Sequence, residues 1–160
     1  MSARSRRFRR NSPEAVARVL AAVLTDDGRL APEEIDLMDR LGVYGIVGVP
    51  RELFLRAVAA HTASRIGPDL ALKGGQPDRR PRLEAALDAI DDRGQRLLVC
   101  AVLLYLAEAD RTIAEEERVL IRHVLARWNV GAEELERELN VPRRRLQPFL
   151  GPSTLEAPAP

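Results

Sequence analysis

Cysteine is almost missing from this chain of 160 residues: there is one, Cys100. No disulfide can form within the chain, and a cysteine-built zinc site is excluded. Cys100 sits inside an apolar run, where burial raises a thiol's pKa, so it reads as a small core residue rather than a nucleophile. Histidine is nearly as scarce, and neither His61 nor His123 has a Cys or His neighbour with which to form a cluster. Aromatic residues make up 4% of the chain, so a core must come from Leu, Val, Ile and Ala. Lys73 is the only lysine among 25 basic residues, a bias that fits GC-rich bacterial coding better than a binding adaptation. The longest run free of charged or strongly polar residues, Leu97 to Ala107, has 11 positions. A bilayer needs ~18, so no transmembrane segment is expected. There is no Gly-x-x-x-x-Gly-Lys phosphate loop, and neither Ser64, Ser153 nor Thr25 lies in a Gly-x-Ser-x-Gly motif. Nor is there the apolar stretch of a secretory signal. These absences lead us to expect a cytoplasmic protein that is not an enzyme.

Hydrophobic residues make up 46% of the chain, which suits one domain with a sizeable core. The net charge of +1 hides an asymmetry. Residues 1–10 carry Arg4, Arg6, Arg7, Arg9 and Arg10 and no acid, and Arg143, Arg144 and Arg145 are consecutive. Between positions 11 and 142 there are 17 basic and 23 acidic residues, so an acidic body carries basic ends. The expected organisation is a basic flexible arm at 1–11, a helical domain at 12–141 and a basic, proline-rich flexible tail at 142–160.

The pattern predicts an all-α bundle of about seven helices. Ser12-Pro13-Glu14 is a helix start, with Ser as N-cap, Pro in the first turn and an acid beside it. Val16, Val19, Leu20, Val23 and Leu24 continue it to Asp26-Asp27-Gly28. Pro32 opens a second helix, with Ile35, Met38 and Leu41 on its inner face. Gly42 to Gly48 is a glycine-rich apolar connection. Pro50 opens a third helix that buries Phe54, Leu55, Val58 and Ala59. Residues 62–82 form the longest loop, and a short helix follows around Leu83 and Leu87. The run Leu97–Ala107 is apolar on every side, which marks a helix buried on every side. A sixth helix turns Ile113, Leu120, Ile121, Val124 and Trp128 inward, and Asn129-Val130-Gly131 ends it. The seventh presents Leu135 and Leu139.

Shifted by 83 residues, two segments of the chain overlay: 27–34 falls on 110–117. Asp27 meets Asp110, Leu30 meets Ile113, Glu34 meets Glu117, and Leu37 meets Leu120. Each copy is an apolar helix end, an Asp-containing turn, a hydrophobic anchor and a Glu in the first turn of the next helix. A helix hairpin used twice predicts two pseudo-repeats around the buried helix. This duplicated pattern, over roughly residues 13–140, resembles the TerB-like family, which includes the tellurite-resistance protein and a domain of membrane-bound J-domain co-chaperones. Arg111 departs from the family's turn, which has Gly there. The resemblance implies a stress-response or interaction module with other proteins as partners. It also implies a divalent metal site at Asp27, Glu34, Asp110 and Glu117.

Four carboxylates on facing helices would favour Ca2+, Mg2+ or Mn2+ over zinc. Asp26, Glu33, Glu108 and Glu116 stand near enough in sequence to supplement them. The Asp-x-Asp-x-Asp-Gly ladder of an EF-hand is missing. The plainer alternative is that each Glu caps free backbone N–H groups and complements the helix dipole. The Arg-rich ends offer a second functional reading, a peripheral adaptor on an anionic membrane surface or nucleic acid. Sequence-specific nucleic-acid reading is not expected, because no helix carries an Arg stripe interleaved with base-reading groups. A metal-dependent hydrolase built on the same carboxylates is the third.

Overall fold

The serine that precedes the first helix caps it as the sequence requires. Ser12 is extended, at φ −78° and ψ 150°, and its Oγ accepts from the Ala15 N–H at 3.2 Å. The computed structural model describes residues 8–25, 30, 32–63, 80–109, 115–146 and 149. Among them are helices and no strands: α1 (Pro13–Leu24), α2 (Pro32–Leu41), α3 (Val43–Val47), α4 (Arg51–Ala63), α5 (Arg80–Ala89), α6 (Arg93–Ala109), α7 (Glu115–Arg127), α8 (Ala132–Leu139) and α9 (Arg143–Leu146). The chain is an all-α helical bundle.

Two helices lie in its interior. On α6, Val99 to Leu104 are all buried, as are Leu97, Leu106 and Ala107, and Tyr105 is the large side chain turned outward. Each fully buried aliphatic side chain there contributes about 1.5–3 kcal/mol of transfer free energy. The second interior helix is α1, where Ala15, Val16, Ala17 and every residue from Val19 to Val23 are buried. Its alanines keep the helix thin, so α4 and α5 can approach it closely. α6 in turn packs against α3, α7, α8 and α9, and it also touches α1.

The repeat persists in the packing. Met38 and Ile121, 83 positions apart, are both 1% exposed. Val47 and Val130 are both buried, and Leu37 and Leu120 both sit half-buried against the core. The contact of α1 with α4 has its counterpart in that of α6 with α8.

Four expectations are corrected. Leu41 does not face inward; it is 46% exposed, because left-handed Gly42 (φ 65°) turns the chain and Val43, Val47 and Val49 fill the core there. Ala59 is exposed, and the buried residue near that end of α4 is His61. The basic arm is fixed to the body from Phe8 onward. Phe8 packs partly buried on the core, and the side-chain oxygen of Asn11 accepts from the N–H groups of Asp91 and Asp92 at 2.9 and 3.0 Å. Of the expected tail, residues 143–146 form α9, and Leu146 and Phe149 are buried, with the Phe149 carbonyl accepting from Arg122 Nε at 3.2 Å; residues 147, 148 and 150–160 lie outside the described residues. The three arginines disguised an apolar pair.

A cleft where the two helical corners meet

Glu34 is the third residue of α2, and Glu117 is the third residue of α7. Both line one small, partly open cleft with an enclosed volume of about 20 Å³. Leu24 enters it from the end of α1, Leu30 from the following turn, Leu37 and Met38 from α2, and Leu106 from α6. The i, i+3 and i, i+4 spacing of Glu34, Leu37 and Met38 puts all three on one face of α2. The starts of α2 and α7 therefore face one cleft, and equivalent glutamates of the two repeats line it.

Both carboxylates lie at helix starts, where they complement the dipole, and each is engaged by its own surroundings. Both are half-buried. Asp27 and Asp110, the other two expected ligands, lie outside the described residues, as do Asp26 and the side chain of Glu116. Glu33 and Glu108 are exposed. Among the described residues no group of three or more His, Cys, Asp and Glu is placed to hold a metal ion. The described donors at the cleft are thus two carboxylates.

Of the basic residues expected to bind an anionic partner, Arg4, Arg6 and Arg7 lie outside the described residues and Arg9 is exposed. Arg10 is turned to the body and donates to Asp91 Oδ2 at 2.8 Å. Thr25 is committed as a helix cap, its hydroxyl donating to the Ala21 carbonyl. His123 is on the surface, its Nε2 bonded to Glu84 on α5. Arg127 donates to the same carboxylate at 2.9 Å and also pairs with Asp88. Burial works to raise the Glu84 carboxyl, but the bonds from Arg127 and His123 outweigh it and hold the group below its ordinary value. Burial pushes the Cys100 thiol up to about 12, which removes it as a nucleophile at neutral pH.

Two features escaped the sequence reading. Leu106 lines the cleft, but its uniformly apolar run gave no means of telling it from its neighbours. Arg93 and Glu134 join the start of α6 to α8, a pair that helical spacing alone does not indicate. Among the described residues no helix is long and apolar enough to cross a membrane. The chain matches no protein-family model, and neither the curated proteins nor the solved structures contain a match to it.

Proposed function

We propose that the chain is a non-enzymatic interaction module of TerB-like type, cytoplasmic, whose corner cleft takes a divalent metal ion. The observation that carries this is the shared cleft of Glu34 and Glu117, two residues related by the 83-residue repeat. Convergence of equivalent acids from separate corners is more than helix capping alone requires. Two protein carboxylates with water completing the shell form a set suited to Mg2+ or Mn2+, which keep several waters when bound. Asp27 and Asp110 stand just before the same two helices in sequence and would complete the acidic set. Such an ion would supply a positive charge between two corners that carry like charges. The other lining residues are aliphatic or thioether side chains, which offer no acid or base, so the reading is one of binding and not hydrolysis. The anionic-partner reading is weakened at Arg10, which is paired with Asp91.

Calorimetric titration with Mn2+ tests the proposal. A saturable isotherm is expected, abolished by Glu117→Ala and strongly weakened by Glu34→Ala. A flat titration at millimolar metal would leave the two glutamates as helix caps only.

A further inference from the structure

We draw no further inference here: the strongest candidate, the exposed apolar surface of Leu41 and Ile46 where α2 gives way to α3, carries none because nothing in the structure shows what covers it.

Discussion

Arg93, the first residue of α6, closes a gap that helix ends always leave. The last carbonyls of a helix have no partner within it. Past the end of α7, Asn129 turns left-handed at φ 51° and the Trp128 and Asn129 carbonyls are left to other donors. Arg93 donates to them at 2.5 and 2.8 Å and to Glu134 Oε1 at 2.7 Å. Removing it leaves two carbonyls and a carboxylate without that donor. Arg93→Ala is expected to cost about 1–3 kcal/mol in urea unfolding. Arg93→Lys should recover only part of this, since an ammonium cannot reproduce the fork. Equal stability of all three proteins would show that the clamp contributes nothing. Cys100 makes a second prediction at this scale. With its thiol pushed up to about 12 and buried, maleimide should label it only as fast as the core opens. Labelling of the native protein at the rate of a free thiol would contradict the burial of α6.

The all-round apolar pattern of Leu97–Ala107 made α6 legible, because no other solution buries every face of a helix. Leu104 is 0% exposed, so Leu104→Ala should cost about 2–5 kcal/mol, the usual range for a core cavity. The second interior helix was harder to see. The alanines that let α1 be buried on all sides carry little hydrophobic weight, so its pattern read as a single stripe. Glu34 and Glu117 were legible through the repeat, whereas their common cleft depends on packing between corners far apart in sequence. α3 was missed because five residues are too few for periodicity; what defines it is the pair of left-handed glycines at its ends. Gly48 has φ 69°, and a Cβ there would meet nothing within 4 Å, so only backbone strain opposes a side chain. Gly48→Ala should therefore cost about 1 kcal/mol. A neutral result would mean that the turn can relax without its left-handed residue.

Two groups of surface ion pairs join helices that the chain connects only distantly, and these bear on how the whole molecule responds to acid. Glu84 ties α5 to His123 and Arg127 of α7, and Glu134 ties α8 to Arg93 of α6. The bond from Arg93 holds Glu134 below its ordinary value against a small opposing effect of burial. Glu84 is also held low, its two partners outweighing desolvation. In the unfolded chain both groups return to the ordinary carboxyl value of 4.5. A carboxyl lowered by folding stabilises the native state above that value, and the contribution is lost as pH falls through the native one. Stability should thus be level from neutral pH down to about 5 and decline below 4.5. The pairs are partly exposed, so salt should shrink their share. Glu84→Gln with Glu134→Gln should melt lower than the parent at pH 7 and lose less between pH 5 and pH 3. Melting curves across that range check the sign: a double variant that falls as steeply as the parent would place the acid sensitivity in other carboxylates, with the two cross-helix pairs contributing nothing to it.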